Sequence, residues 1–223
     1  MIVPDCIERS NRKTLSLSVM KDGAVCVKAP IGMRDEIIEK FVREKQDWIK
    51  SKLAFINATR DKFSEVISYN KFLIYGNTYS LVFCDEKKIK TGNNFELLVP
   101  RKIDKAKLMK SIKSWYKKAA KDILADRLKF ISNKINLFAK EIKIGDSKGR
   151  WGSCNSNGVI VLNFRVLMLP PAIIDYVLVH ELCHLREMNH SKQFWSLVGS
   201  ILPNFEKTKK AIKEYGFLLS LYI

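Results

Sequence analysis

All three histidines of this 223-residue chain lie within eleven residues, in His180-Glu181-Leu182-Cys183-His184 and at His190. Residues four apart project from one face of a helix, so His180 and His184 can offer imidazole nitrogens to a single cation. Glu181, one residue on, can reach the water that such a cation activates, which is the arrangement of a zinc hydrolase. Histidines used only for packing would have no reason to gather in one stretch. His190 is the expected third ligand. Its spacing of six from His184 is that of the metzincin pattern H-E-x-x-H-x-x-G-x-x-H, yet Glu187 stands where that pattern has glycine and no methionine follows His190. The spacing is shared and the family is not. Glu187 is the rival for the third position, as a ligand or as an acceptor for a histidine N–H. Cys183 projects away from the ligands and reads as a small buried residue.

These side chains need a helix followed by a reversal. Pro170 and Pro171 suit a first turn, where a fixed φ helps and a missing donor costs nothing. Ile174, Leu178, Leu182 and Leu185 then form an apolar stripe, with Ile173, Val177, His180 and His184 on another side, so the spacing predicts a helix that buries one face and presents ligands from a second. The helix is expected to end near Met188, with Asn189 taking a left-handed conformation that swings His190 back to the metal.

With those residues in view, Val179 to His184, Met188 to Ser191 and Phe194-Trp195 resemble the YgjP-like metallopeptidase family, which is related to the SprT-like and WLM groups of zincin peptidases. The resemblance extends to Arg150-Trp151-Gly152-Ser153-Cys154, Leu162 to Arg165, Pro170-Pro171 with Asp175-Tyr176, and Glu44 to Ile49, and so covers almost the whole chain. It implies a bacterial-type, intracellular, metal-dependent hydrolase classed as a peptidase. It does not supply the natural substrate.

The remaining pattern is α+β. Alternating Leu15, Leu17 and Val19, then Val25 and Val27 about Lys21-Asp22-Gly23, predict a β-hairpin. Residues 34 to 57 read as one amphipathic helix through Ile37, Phe41, Trp48 and Leu53. Strands are expected at 71–83 and 89–99, punctuated by Gly76-Asn77 and Gly92-Asn93-Asn94. Residues 1–102 thus form a strand-rich N-terminal region with one helix. Residues 103–223 form a minimal zincin-type domain. That domain opens on a long helix from Asp104 to about Asn136 with Leu108, Ile112, Tyr116, Ala119, Ile123 and Leu128 inward. Strands follow at 140–144 and 158–164, then the histidine helix, a helix capped by Ser191, and a last helix over 204–215. Val159 to Phe164 is the expected sheet edge for an extended peptide substrate. Arg150, Asn163 and Arg165 could orient that substrate or polarise its carbonyl, or could simply satisfy local groups.

Composition sets limits. At 47% apolar and 28% charged the chain is a globular protein. Met1 to Arg12 lacks the apolar core of a signal peptide, and the apolar stretch from Val159 to Val179 is interrupted by Asn163, Arg165, two prolines and Asp175, so no membrane association is expected. The 5 cysteines form no C-x-x-C pair, which suits free thiols in a reducing cytoplasm. Oligomeric state is not encoded in any feature of the sequence. The net charge of +17 makes nucleic acid a second expected partner beside a protein or peptide substrate, through Lys107, Lys110, Lys113, Lys117, Lys118 and Lys121 on the long helix. Two alternatives to a zinc metallopeptidase follow from that charge. One is a metal-dependent nucleotide phosphohydrolase, which no Gly-rich phosphate loop or carboxylate cluster supports. The other is a DNA-associated protein with a structural zinc, which an open fourth position beside Glu181 disfavours.

Overall fold

The structure, a computed structural model, describes residues 1–68 and 71–221, with Lys105 described by its backbone alone. Its contacts divide the α+β chain into two compact units, Met1–Ser64 and Glu65–Ile223.

In the first unit, β1 (Cys6–Ser10), β2 (Ser16–Val19) and β3 (Val25–Pro30) form a sheet of order β1-β3-β2, with β2 antiparallel and β1 parallel to β3. The β2–β3 pair is the expected hairpin, and Gly23 takes φ 98° in its turn. Alternate residues of β3, Val25, Val27 and Ala29, point into a core completed by Ile38, Val42 and Ile49. Two helices supply that side, α1 (Asp35–Glu44) and α2 (Gln46–Lys62), in place of the single helix expected over 34–57. The helix breaks at Lys45, and the Gln46 side chain ties down the segment before β1, accepting from Ile2 N at 2.7 Å and donating to Ile2 O at 2.8 Å. The inward stripe lies one residue later than expected, since Ile37 and Trp48 are 43% and 41% exposed. Ile37-Ile38, Phe41-Val42 and Trp48-Ile49 are adjacent apolar pairs, so periodicity alone could not choose between the two faces.

Cys6 and Cys26 are register partners on β1 and β3 and form a disulfide, while Cys84, Cys154 and Cys183 are free. This corrects the expectation of free thiols throughout. A pairing set by strand register across 20 residues leaves no local spacing signature, and cysteine usage no longer argues for a reducing compartment. Among the described residues no helix is long and apolar enough to cross a membrane.

A single turn, α3 (Ser64–Ile67), precedes the second unit's first sheet, which has order β4-β5-β7-β6 and comprises β4 (Lys71–Ile74), β5 (Asn77–Cys84), β6 (Lys90–Thr91) and β7 (Glu96–Pro100). The β4–β5 turn, with Tyr75 and Gly76 at φ 53° and 76°, docks onto the segment that leads to the histidine helix. Tyr75 N donates to Leu167 O at 2.9 Å and Gly76 N to Met168 O at 3.1 Å. A Cβ on Gly76 would fall 2.7 Å from Pro170, so only glycine permits the approach. This sheet therefore packs with the C-terminal elements, and the division of the chain falls at Ser64/Glu65 instead of near residue 102.

The long helix α4 (Lys105–Ile135) spans about 46 Å. Asp104 caps it by accepting from Ala106 N at 2.9 Å, and Asn136 ends it in the left-handed region at φ 54°. Its buried stripe is Ile112, Tyr116, Ala120, Leu124, Leu128 and Ile131, which departs from the expected one at Ala119 and Ile123, again within adjacent apolar pairs. The second sheet has order β8-β10-β9, with β8 (Glu141–Gly145) parallel and β9 (Gly152–Cys154) antiparallel to β10 (Val159–Asn163). Ile160 and Leu162 point inward from β10. A 3₁₀ segment, Phe164–Met168, leads into α5 (Pro171–Cys183), α6 (Lys192–Ile201) and α7 (Phe205–Ala211). Pro171 occupies the first turn of α5 as its sequence predicts. Arg127 of α4 grips Asp175 of α5 with two parallel bonds of 2.7 and 2.6 Å, the fork geometry that guanidinium and carboxylate share.

Candidate metal centre

Helix α5 is buried on nearly every side, with Ile173, Ile174, Tyr176, Val177, Leu178, Val179, Leu182 and Cys183 all inside, so the second face, which carries His180, is itself largely enclosed. A helix enclosed in this way holds its side chains in fixed directions. His180 projects from its last turn and His184 is its C-cap. Arg186 N and Glu187 N both bond to Cys183 O, at 3.0 and 2.9 Å, and prolong the coil by a tapering turn.

The reversal that follows uses no left-handed residue. Asn189 is absent from the positive-φ positions, and the chain bends through Met188 and Asn189 with Ser191 N bonded to Asn189 O at 2.7 Å. The expected swing at Asn189 is thus replaced by a bend between two caps, His184 at one end and Ser191 at the other, whose hydroxyl accepts from Phe194 N at 3.3 Å. Glu187 takes part through its backbone. His184 Nδ1 lies 3.0 Å from Glu187 O, which places a proton on Nδ1 and leaves Nε2 free to ligate.

His190 is brought back so that its Nε2 lies 3.0 Å from His180 Nε2. Ligand atoms of His180, His184 and His190 all fall within 4.8 Å of one another. Nitrogens bound tetrahedrally at about 2.0–2.1 Å stand roughly 3.3 Å apart, so the triad fits one small cation. His180 Nδ1 and Glu181 Oε2 are buried without a hydrogen-bond partner among the described residues. Burial, reinforced by the charges of His184, His190 and Lys209, pushes His180 down to about 3. A neutral imidazole is the form that binds metal.

Aromatic rings enclose the triad. Phe194 stacks on His184 at 4.6 Å between centroids and stands edge-on to His180 at 4.9 Å. Trp195 stacks on His190 at 5.5 Å and 22°, and in turn lies parallel to Phe205 at 5.6 Å and 8°. The Lys209 ammonium sits 3.6 Å from the Trp195 ring centre. The sequence resemblance includes Phe194-Trp195 but gives neither residue a role, and nothing in the sequence pattern pointed to Phe205 or Lys209. Only the adjacency of Phe194-Trp195 to His190 could have signalled the cage.

Glu181 is buried against Gly152 of β9. A Cβ at Gly152 would fall 2.6 Å from Glu181 Oε1 and 2.8 Å from its carboxyl carbon, so the glycine is what lets the carboxyl lie against the strand. Burial pushes Glu181 up to about 7, with the charge of Arg150 pulling the other way. Burial also raises the Cys154 thiol, helped by Glu181, and pushes Cys183 up to about 12, which leaves both thiols inert near neutral pH.

The other polar residues of interest separate cleanly. Asn163 donates to Ser147 O and Arg150 O at 2.6 and 3.1 Å and accepts from Arg165 N, so it organises the β8–β9 loop. Arg165 is buried, bonded to Asp146 at 2.5 Å and Leu221 O at 2.9 Å. Lys113 and Lys117 also reach Asp146, at 2.8 and 3.3 Å. Burial alone would raise the Asp146 pKa, but hydrogen bonds from Lys113 and Arg165 and their charges hold it well below the usual carboxylate range. The lysine face expected on α4 is therefore divided. Lys113 and Lys117 turn to Asp146 and the Phe164 ring, while Lys110, Lys118 and Lys121 remain exposed.

The sequence profile described as "YgjP-like, metallopeptidase domain" matches residues 13–215. No curated protein matches the chain. Among solved structures, the metallopeptidase zymogen of Pyrococcus abyssi abylysin is similar at 27% identity over 39% of this chain and 86% of that one, with a TM-score of 0.35.

Proposed function

The chain belongs to the YgjP-like metallopeptidase family, and from that premise we propose that it is a zinc peptidase in which His180, His184 and His190 hold one zinc ion and Glu181 is the general base. The observation that carries this is the convergence of three imidazoles within 4.8 Å beside a buried carboxyl with one unpartnered oxygen. Bound zinc supplies a water acidic enough, with a pKa of about 7, to be deprotonated at neutral pH. Glu181 would accept a proton from the attacking water and return it to the leaving amine. Burial raises the Glu181 carboxyl, the direction that favours taking up a proton. Glu181 is buried, with 5% of its surface exposed, which keeps bulk water from the carboxyl.

An extended substrate needs a free strand edge, and β10, with Val159 to Asn163 in ladders on both sides, is central. The expectation that it is the edge is therefore corrected to β9. Trp151 O and Asn155 N bond toward β10, so by alternation the backbone groups of Gly152 and Cys154 point to the open side. A peptide added there would pass next to Glu181 without demanding a particular sequence.

Metal analysis of the purified protein with a peptide-cleavage screen tests the proposal. Glu181→Gln should keep zinc and lose turnover by about 10²-fold or more, as expected for loss of a general base. Unchanged turnover in a zinc-replete Glu181→Gln protein overturns the mechanism.

A nucleic-acid partner is a second reading, favoured by a groove of about 510 Å³ lined by Lys87, Lys88, Lys102 and Lys118 with Trp115. These lysines, with Lys110 and Lys121, replace Lys113 and Lys117 as the phosphate-facing set. Binding should weaken steeply as salt rises. No binding to an oligonucleotide at low salt removes this partner. Placement in the cytoplasm belongs to the same proposal and would be checked by fractionation of cells.

A further inference from the structure

Of the three polar residues that could meet a substrate, two are spent. Asn163 fixes the β8–β9 loop and Arg165 is buried in ion pairs. Arg150 is different. Its side chain is exposed, and its guanidinium makes no hydrogen bond or ion pair among the described residues. It lines a cavity of about 210 Å³, room for one side chain, together with Asp146, Gly152, Ser153 and Val161.

The place of that cavity gives it meaning. Gly152 lines it and is also the residue that lies against the Glu181 carboxyl, so one backbone position separates the cavity from the general base. Gly152 and Ser153 of its lining belong to β9, the edge strand on which a peptide would lie at about 3.4 Å per residue. A substrate residue within one or two positions of the scissile bond therefore faces it.

Its charge selects what that residue should be. The only acid lining the cavity, Asp146, is already met by Arg165, Lys113 and Lys117, three cations for one carboxylate. Arg150 adds a fourth cation, which makes no ion pair among the described residues and acts on the Glu181 carboxyl only through the field of its charge. A positive concavity with low-dielectric walls concentrates anions, and an unpaired guanidinium is the donor that matches a carboxylate with two bonds.

Resting on the peptidase reading, we infer that Arg150 and this cavity form a subsite that takes a substrate carboxylate next to the scissile bond. The carboxylate is that of an acidic side group or of the substrate's own C-terminus. Asp146, by neutralising part of the surrounding charge, keeps Arg165 folded inside and leaves Arg150 as the selecting group.

Two measurements test the subsite. In the first, zinc-loaded Glu181→Gln protein binds peptides that differ only in carrying Glu, Gln or Lys beside the cleavage position, each as C-terminal amide and as free acid. The Glu peptide should bind about tenfold more tightly than the Gln peptide, as a charge-assisted bond provides. An advantage of Glu in the amides assigns the carboxylate to a side group, and an advantage only of free acids assigns it to the terminus. In the second, Arg150→Glu should reverse the ratio of kcat/KM between Glu and Lys peptides at equal zinc content. Equal binding of Glu, Gln and Lys peptides in both forms, or an Arg150→Glu protein that loses the same factor on every peptide, overturns the subsite. A peptidase failure looks different, with no cleavage of any peptide by the zinc-loaded wild type while the binding preference stands.

Discussion

His180 and His184 hang from a helix enclosed by apolar neighbours, whereas His190 stands in an exposed bend between two helices and is held by rings. The first pair is positioned by the 3.6-residue repeat and by the packing that immobilises α5. His190, the proposed third ligand, is positioned by what lies across from it, Trp195, Phe205 and Lys209. The two halves of the site thus owe their precision to different causes, one local and one tertiary. Damage to them should differ in kind as well as in size.

The largest effect is expected from the ligands themselves. His184→Ala should abolish tight zinc binding, and His190→Ala should weaken it by more than the roughly 10- to 100-fold typical of residues that only support a ligand. Glu187→Ala should change it little, because His184 uses the backbone oxygen of Glu187, which alanine retains. Competition with a chromophoric chelator measures all three. If Glu187→Ala strips the metal and His190→Ala does not, the third ligand is the carboxylate and the comparison collapses.

Next in size is the strand against which Glu181, the proposed base, lies. Gly152→Ala puts a methyl group where Glu181 Oε1 would be 2.6 Å away, so the carboxyl or the strand must move. A displacement near 1 Å at a reacting group can cost about 10²-fold in rate. Turnover should fall toward that extent with zinc content intact, because no ligand lies on β9. A Gly152→Ala protein with full turnover would mean that Glu181 does its work from another position.

The sequence made the helical half of this site readable and left the other half obscure. H-E-x-x-H, the prolines at the start of α5, the bounds of α4 near Asp104 and Asn136 and the Ser191 cap of α6 are local signals, and the structure has each of them. What escaped is tertiary. Adjacent apolar pairs such as Ile37-Ile38 and Ile123-Leu124 hide which face is buried. The strand order that makes β9 the edge, and the register that joins Cys6 to Cys26, depend on partners distant in the sequence. The use of Gly152 as a socket for a carboxyl 29 residues later has no sequence signature.

The smallest effect should come from the ring cage, and it tests the tertiary half most directly. Trp195 contacts His190 without ligating, so Trp195→Leu removes the stack, along with the Phe205 and Lys209 contacts that back it, and leaves three nitrogens in place. Stacked pairs are worth about 0.5–1.5 kcal/mol beyond their buried area, which corresponds to about 2- to 13-fold in zinc affinity if the stack holds His190 in its bound orientation. Trp195→Phe should recover most of this loss, because a smaller ring can still lie against the imidazole. In cobalt-loaded protein the visible absorption, which reports the angles between ligands, should shift for Trp195→Leu and return toward wild type for Trp195→Phe. A Trp195→Leu protein with unchanged affinity and spectrum would show that the bend between His184 and Ser191 fixes His190 unaided. The two halves of the site would then differ less than their surroundings imply.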